Sequence, residues 1–538
     1  MKLKDLPISS QVFEDVVGSG SLYVDKTNYI HKMVTQGHST ETGITSCPKF
    51  FLSRPRRFGK SMTVSTLKAI FEGKKQLFNG LALGNSDYGF EINPILKLDF
   101  SALGKTPADL KHSLQSLLND TAKKHKISLT GKILISEKTE RILTKLDQKW
   151  VILIDEYDAP ILDALKEPDD AIRLQKCTDM IDVLREFYLA VKANDAYLRL
   201  VFITGVSKFS QVSVFSGLNN LQDISMDPDY AGLCGYTQEE LEACFDPHIT
   251  RLAQWTQLTY QETLEKLKYY YNGYRFSKQS EIRVYNPFSV LNAFQNREFD
   301  TKWFQSGTPS FLVKWISREN YPVDQIEGQR TEGSVFDARE PHQMDLLGMM
   351  IQTGYLTIST YDNKANRYVL DYPNYEVKKG FMDGLLEYFR KAGPSLLGPQ
   401  LDNWRELIEA EDWDAFFAEF NQILSSVPYY IQMPTEAYYH SIFHCVIVLL
   451  GLRIQSELAT SRGRIDTFIE TQDANWIFEF KVAKETSEYD KKLEEALHQV
   501  QKRGYRNYLI STLTNKPLKV MGVVFDIGLK QVVKWGDR

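Results

Sequence analysis

Short runs of apolar residues near positions 50, 95, 150 and 200 predict the strands of one sheet. Helical patterns separate these runs, and the run before Asp155 is wholly apolar. A strand without alternation is typical of the centre of a parallel sheet, where both faces are buried. Strands that alternate with helices predict an α/β fold with a doubly wound parallel sheet in the front half of the chain.

Two later strands alternate between apolar and polar residues. "GRIDTFIE" (Gly463–Glu470) and "WIFEFKVAK" (Trp476–Lys484) are separated by a short turn and predict a β-hairpin. We expect a helix at 435–450 before them, a helix at 487–505 after them, and a further strand at 506–512. The predicted order is helix, strands, helix, strand.

The region between these parts is predominantly helical by pattern, and it is rich in aromatic residues. Thr237 and Glu240 have the spacing of a helix capping box. Strand and helix signals mix farther on, and glycine and proline residues between 393 and 399 mark a break. We expect a P-loop domain at 1–225, a helical lid at 226–310, a mixed connector at 311–400 and a last domain at 401–538.

Composition narrows the classes of function. The chain has 538 residues with a formal net charge of −5, which excludes a uniformly basic nucleic-acid binder. Any contact with nucleic acid must therefore come from a local patch. Five scattered cysteines fit a reducing compartment. The most apolar run, Ile442–Leu452, is too short to span a bilayer. We expect a cytoplasmic protein without a membrane partner.

The first predicted strand leads into a Gly-Lys-Ser sequence and a helix, which is the context of a phosphate-binding loop. Gly59 lets the backbone approach phosphate, Lys60 supplies charge, and Ser61 ligates Mg²⁺ beside the helix N-terminus. Arg54 replaces the usual first glycine, although the spacing is kept. The predicted nucleotide-contacting residues of this loop are Arg57, Phe58, Gly59, Lys60, Ser61 and Met62.

Acidic residues follow the central strand at the end where α/β folds bind ligands. Asp155 is predicted to hold Mg²⁺ and Glu156 to polarise the attacking water. The alternative is an acidic turn after a core strand. Thr204 ends the next strand, where it either senses the γ-phosphate or caps the strand.

Several motifs together resemble the bacterial AAA-ATPase-like family. They are "YVDKT" (Tyr23–Thr27), "FLSRPRRFGKS" (Phe51–Ser61), "VILIDEYDAP" (Val151–Pro160), "FITGVSKFS" (Phe202–Ser210), "YYYNGYRFS" (Tyr269–Ser277) and "VYNPFSVLNAF" (Val284–Phe294). The resemblance covers roughly residues 1–300 and implies that ATP is bound. It implies that Lys60 and Ser61 lie at the phosphates and Mg²⁺, and that Asp155 and Glu156 are the Walker B pair. Arg54 is a feature of that family.

The second strand of the predicted hairpin carries Glu479 and Lys481 on one face. A buried carboxylate and ammonium need a partner or a metal. The hairpin brings Asp466 close, so we expect Asp466, Glu479 and the Phe480 carbonyl to bind Mg²⁺ or Mn²⁺, the ions that oxygen ligands favour. Lys481 then orients the attacking water or steadies charge on a phosphodiester.

The spacing D-x12-E-x-K and the element order resemble the PD-(D/E)XK nuclease superfamily over about residues 430–535. The resemblance implies an ancillary acid at Glu436 and a helix signature formed by Gln499 and Tyr505. Ile465 stands where the family usually has proline. The residues predicted to reach the phosphate backbone are Lys502, Arg503 and Arg506. The alternative for the acidic and basic cluster is a surface ion-pair network.

The sequence therefore predicts an ATP-binding protein coupled to a Mg²⁺-dependent nuclease that acts on DNA or RNA, with DNA favoured as the partner. A regulatory ATPase whose last domain binds nucleic acid or a protein without cleaving is the alternative. A third hypothesis has Arg54 closing the phosphate loop and leaving an ATP-independent nuclease. A homo-oligomer is compatible with all three.

Overall fold

The structure is a computed structural model, and it divides the chain into two compact units. The first contains Met1–Gly307 and Arg330–Glu376, and the second contains Thr308–Gln329 and Val377–Arg538. The structure describes residues 3–36, 46–129, 133–209, 218, 220–302, 312–313, 315–316, 321–337, 345–390, 398–426, 435–460, 463–502 and 516–537.

Thirteen strands and sixteen α-helices lie within these residues. The strands are β1 (Lys49–Ser53), β2 (Ile95–Asp99), β3 (Trp150–Asp155), β4 (Leu198–Gly205), β5 (Leu221–Asp223), β6 (Arg330–Thr331), β7 (Thr357–Asp362), β8 (Arg367–Asp371), β9 (Arg453–Thr460), β10 (Gly463–Glu470), β11 (Asn475–Ala483), β12 (Leu518–Asp526) and β13 (Gln531–Asp537). The helices are α1 (Phe13–Gly18), α2 (Thr27–Thr35), α3 (Lys60–Phe71), α4 (Pro107–Lys124), α5 (Ile135–Thr144), α6 (Ala159–Ala164), α7 (Asp170–Ala193), α8 (Gln238–Thr256), α9 (Tyr260–Tyr271), α10 (Pro287–Asn296), α11 (Leu346–Thr353), α12 (Tyr375–Arg390), α13 (Gly398–Glu409), α14 (Trp413–Ser426), α15 (Glu436–Leu449) and α16 (Tyr489–Lys502).

The first unit is built on a parallel five-stranded sheet in the order β2-β3-β4-β1-β5. Every residue of β3 and of β4 is buried, as the absence of alternation predicts. The doubly wound parallel sheet predicted from the sequence is confirmed. The short edge strand β5 was not predicted, because three residues carry too little pattern.

Helices α8, α9 and α10 share one apolar core. Thr237 caps α8, and both hydrogen bonds of the predicted capping box are present. The Lys26 ammonium, from the "YVDKT" motif, lies 2.5 Å from Oε2 of Glu240 in the same box. A mostly buried ion pair therefore ties the start of α8 to the N-terminal segment.

The small antiparallel sheet β6-β8-β7 belongs to the first unit. Strands β7 and β8 lie in the part of the sequence where strand and helix signals mix. The structure has two compact units, and the division into four parts stays a prediction.

The second unit contains a mixed sheet in the order β13-β12-β11-β10-β9. Strands β10 and β11 pair antiparallel as the predicted hairpin, and β12 lies parallel to β11. One face of β11 carries aromatic residues, where the Phe478 ring lies 5.2 Å from that of Phe443 in α15. On the other face Ile477 packs with Leu497 of α16. The sheet thus lies between two helices, as in the restriction-endonuclease-like fold that the resemblance to PD-(D/E)XK nucleases implies.

Part of the predicted nuclease signature falls outside the described residues. These positions are Tyr505, Arg503, Arg506 and the strand predicted at 506–512, together with the side chain of Lys502. The strand that follows α16 in the described part of the chain is β12.

Two further expectations concern the whole chain. Across the described residues, no helix combines the length and apolar character needed to cross a membrane. All five cysteines lie in the described part of the chain, and none is in a disulfide.

Candidate functional site

The predicted phosphate loop connects β1 to α3. Gly59 precedes the helix with a φ of +99°, in the left-handed region that glycine enters without strain. The Lys60 ammonium lies 3.0 Å from the Arg54 carbonyl oxygen and 3.1 Å from that of Pro55. It is also 3.4 Å from Oε1 of Glu156. The lysine is therefore held by its own loop and by the predicted catalytic acid.

Arg54 is directed away from that lysine. Its buried guanidinium donates to the carbonyl oxygens of Ser53 at 2.9 Å, Ser225 at 2.6 Å and Tyr230 at 3.2 Å. It also lies 4.1 Å from the centre of the Phe276 ring. Burial lowers the pKa of Arg54 to about 10. The side chain thus anchors the segment after β5.

The other predicted loop residues differ in exposure. The side chain of Phe58 is buried, with its ring 4.6 Å from that of Tyr274, so only its backbone can face phosphate. Arg57 is exposed and has a φ of +71°. Ser61 and Met62 are partly buried in the first turn of α3. The segment offers backbone N–H groups at a helix N-terminus, as anion binding needs.

The acidic edge of the sheet lies beside this loop. Oδ1 of Asp155, at the end of β3, accepts a 2.6 Å hydrogen bond from the Thr204 hydroxyl at the end of β4. Glu156 follows with a φ of +52°, a conformation that non-glycine residues rarely adopt. The structure thus brings Glu156 to Lys60 and Thr204 to Asp155. Thr204 is positioned to orient Asp155.

Sequence reasoning missed Asp158, the last acid of "DEYD". Its Oδ2 accepts hydrogen bonds from the Ser207 backbone N–H at 2.7 Å and hydroxyl at 2.5 Å, and from Val206 N–H at 3.1 Å. Burial raises the pKa of Asp158 to about 6, the nearby charge of Glu156 adds to this, and the Ser207 bonds oppose it. Asp158 therefore fastens the ends of β3 and β4 together. Ser207 was a visible signal, since a hydroxyl ending a buried strand needs a partner.

In the second unit, the β10–β11 ladder ends where the predicted metal site begins. Its last backbone pair is Thr467 with Phe478. The next residue, Asp466, instead uses its side chain, and Oδ2 accepts a 2.9 Å hydrogen bond from Phe480 N–H. The Asp466 carboxylate is therefore fixed beside the neighbouring strand.

Glu479 and Lys481 lie together at this point. The Glu479 side chain is fully buried, and its Oε1 accepts a hydrogen bond from the side-chain amide of Gln499 in α16. The Lys481 ammonium is 3.5 Å from the same oxygen, and it donates to the Phe480 carbonyl at 2.7 Å. Four of the predicted site residues thus meet at the open end of the β10–β11 ladder, away from the turn.

Glu436 approaches from the first turn of α15, which the Thr435 side chain caps. Its Oε1 is 3.9 Å from the Lys481 ammonium. Burial raises the pKa of Glu436; Lys481 opposes this shift, and Asp466 adds to it. The acid predicted on this helix is therefore beside the lysine.

The oxygen atoms at this site suit a hard divalent cation. The carboxylates of Asp466 and Glu479 and the carbonyl of Phe480 are all oxygen ligands, which Mg²⁺ and Mn²⁺ prefer. A cationic group, the ammonium of Lys481, already contacts two of these oxygens. Within the described residues, no three His, Cys, Asp or Glu side chains converge as a ready-made metal cluster. A bound ion would therefore complete its shell with water or substrate.

Two segments of the chain match known family models. Residues 7–215 match the model described as "Predicted AAA-ATPase", and residues 434–535 match the "PD-(D/E)XK nuclease superfamily". The chain is also 33% identical over 545 residues to the "Uncharacterized protein in vnfD 5'region" of Azotobacter chroococcum mcd 1, covering 99% of this chain and 98% of that protein. The chain belongs to the predicted AAA-ATPase family and carries a PD-(D/E)XK nuclease superfamily domain. Both resemblances predicted from the sequence are confirmed.

A solved structure was also matched to this AAA-ATPase family protein. It is the Aeropyrum pernix ORC1 protein in complex with DNA, at 11% identity and a TM-score of 0.25, covering 66% of this chain and 91% of that one. A TM-score this low supports no conclusion about the present chain. The assignment of fold therefore depends on the family matches and on the sheets described above.

Proposed function

We propose that this protein binds ATP in its first unit and hydrolyses phosphodiester bonds of DNA or RNA in its second, with Mg²⁺ or Mn²⁺. One observation carries the nuclease proposal. Asp466, Glu479 and Lys481, which are separated in the sequence, meet at the open end of the β10–β11 ladder. That arrangement in a PD-(D/E)XK domain is suited to cutting a phosphodiester.

Each residue of the nuclease site has a distinct role in this proposal. Asp466 and Glu479 hold the ion together with the Phe480 carbonyl, and Gln499 keeps Glu479 in position through its amide. A bound divalent ion supplies an activated water and neutralises charge on the phosphate. Lys481 steadies the negative charge that develops on the phosphodiester.

In the first unit, the proposed ATP site uses Lys60 and Ser61 at the phosphates. Asp155 holds Mg²⁺, and Glu156 polarises the attacking water. The Lys60 ammonium, 3.4 Å from Glu156, would neutralise charge on the bound phosphates. The Arg54 guanidinium is engaged with the carbonyls of Ser225 and Tyr230, after β5, which supports ATP binding over the hypothesis that Arg54 closes the phosphate loop.

The test is a cleavage assay on the full chain. Purified protein is incubated with plasmid, single-stranded DNA and RNA, with Mg²⁺ or Mn²⁺, and with or without ATP. Cleavage that is lost in Glu479→Ala and Lys481→Ala is expected. Cleavage retained by both variants would remove the site assignment.

A second candidate function is a regulatory ATPase whose last domain binds nucleic acid without cutting it. Among the described residues, the lack of three converging metal-ligating side chains favours it. This candidate predicts ATP binding that is lost in Lys60→Ala, nucleic-acid binding by the second unit, and no cleavage with any divalent metal.

A further inference from the structure

The Lys481 ammonium contacts two oxygen groups that are also proposed as ligands of the divalent ion. Its ammonium donates to the Phe480 carbonyl oxygen at 2.7 Å and lies 3.5 Å from Oε1 of Glu479. Oε1 of Glu436 is 3.9 Å away. The first two of these oxygens belong to the same groups that the proposed divalent ion would use. A single set of oxygens therefore serves two different cations.

The two cations exclude each other for an electrostatic reason. The Glu479 side chain is fully buried, so water screens little of the repulsion between an ammonium and a divalent ion on the same oxygens. A carbonyl oxygen that accepts from an ammonium at hydrogen-bond distance also has less charge to offer a metal. The metal therefore binds only when the lysine moves.

We propose that Lys481 is a tethered internal cation that competes with the divalent ion for Glu479 and the Phe480 carbonyl. This inference depends on the proposed nuclease function and adds its regulation. Gln499 donates to Glu479, so the carboxylate stays in position when the lysine leaves. Nucleic acid offers the released ammonium a phosphate, so the site loads with metal more readily when substrate is present.

The competition is tested by Mn²⁺ binding to the full chain, without ATP or nucleic acid, through the electron paramagnetic resonance signal of free Mn²⁺. Lys481→Met removes the ammonium and keeps the side-chain length, and we expect Mn²⁺ to bind at least about tenfold more tightly. Lys481→Arg keeps a cation and is expected to bind Mn²⁺ no more tightly than the unaltered protein. Lys484→Met is the matched control, because Lys484 is exposed just beyond β11.

A double variant identifies the site. Adding Glu479→Gln to Lys481→Met is expected to abolish the gain in affinity, since the competing cations share that carboxylate. The rise in melting temperature on addition of Mn²⁺ gives a second measurement, and Lys481→Gln replaces the methionine variant if that variant fails to fold.

The outcomes separate this inference from the proposed function. Unchanged or weaker Mn²⁺ binding by Lys481→Met, beside measurable binding by the unaltered protein, overturns the competition and leaves the nuclease proposal in place. If neither protein binds Mn²⁺, the metal-dependent function fails as well. Binding that appears only in Lys481→Met supports the competition strongly.

Discussion

The two candidate sites hold a lysine in a similar way, but the ligands proposed for them have opposite charges. Lys60 in the first unit donates to two loop carbonyls and pairs with Glu156. Lys481 in the second donates to one carbonyl and pairs with Glu479. Nucleotide phosphate attracts Lys60, whereas a divalent metal repels Lys481. The same local arrangement therefore assists binding at one site and opposes it at the other.

Two lysines with similar contacts can therefore have opposite effects on binding, because the effect depends on the charge of the ligand. Both ammonium groups have oxygen partners, as a charge withdrawn from water requires; Lys60 is buried and Lys481 is partly buried. Replacing Lys60 should weaken ligand binding, while replacing Lys481 should strengthen it. Substitutions at the two sites therefore test this contrast directly.

The largest expected effect is on cleavage by Glu479→Gln. Loss of the metal-binding charge should reduce the rate by about 10³-fold, equivalent to ~4 kcal/mol of transition-state stabilisation. The measurement is nicking of supercoiled plasmid with Mn²⁺. Glu485→Gln, an exposed change just beyond β11, is the control and should cut normally. Undiminished cleavage by Glu479→Gln would contradict the site.

Next in size is the loss of ATP affinity in Lys60→Met. Removing a charge-assisted contact to phosphate should weaken binding about 100-fold, or ~2.7 kcal/mol. Titration calorimetry with ATP and Mg²⁺ measures it, and Lys75→Met, exposed beyond α3, serves as the control. If ATP bound equally well to Lys60→Met, Lys60 would not assist ligand binding, and the contrast with Lys481 would be lost.

Arg54→Ala tests whether the unusual loop residue anchors the fold. The carbonyls of Ser225 and Tyr230 lose a buried donor, so the free energy of unfolding should fall by about 2 kcal/mol. Denaturant unfolding measures this change, with the exposed Arg141→Ala as the comparison. ATP affinity should fall less than in Lys60→Met. A variant as stable as the unaltered protein would show that the anchor is dispensable.

The smallest expected effect is the pH dependence conferred by Asp158. Burial, with the charge of Glu156, raises its pKa to about 6, so the folded state binds a proton that the unfolded state has released. The free energy of unfolding should therefore decrease as the pH rises from about 4 to about 6. The free energy of unfolding, measured across this range, should change less with pH in Asp158→Asn than in the unaltered protein.

The exposed Asp182→Asn gives the baseline for that comparison, because its side chain is 57% exposed. Equal slopes for Asp158→Asn and the unaltered protein would mean that Asp158 does not titrate in this range.

Local sequence pattern was sufficient for most of the secondary structure. The apolar runs predicted β1 to β4, and alternation predicted the β10–β11 hairpin, because both periods act between near neighbours. Motif spacing likewise predicted that Asp466 would lie near Glu479. The three-residue strand β5 escaped prediction, because its pairing with β1 and not its own pattern makes it a strand.

Strands β1 to β4, the β10–β11 hairpin, the capping box and the identity of the charged residues could all be predicted from the sequence. The tertiary structure alone decided where those charges found partners. Arg54 bonds to a carbonyl 171 residues away, and Asp158 to a serine 49 residues away. Every residue has a backbone carbonyl, so a carbonyl partner leaves no mark in the sequence. Only the folded chain selects which one lies within reach of a buried cation.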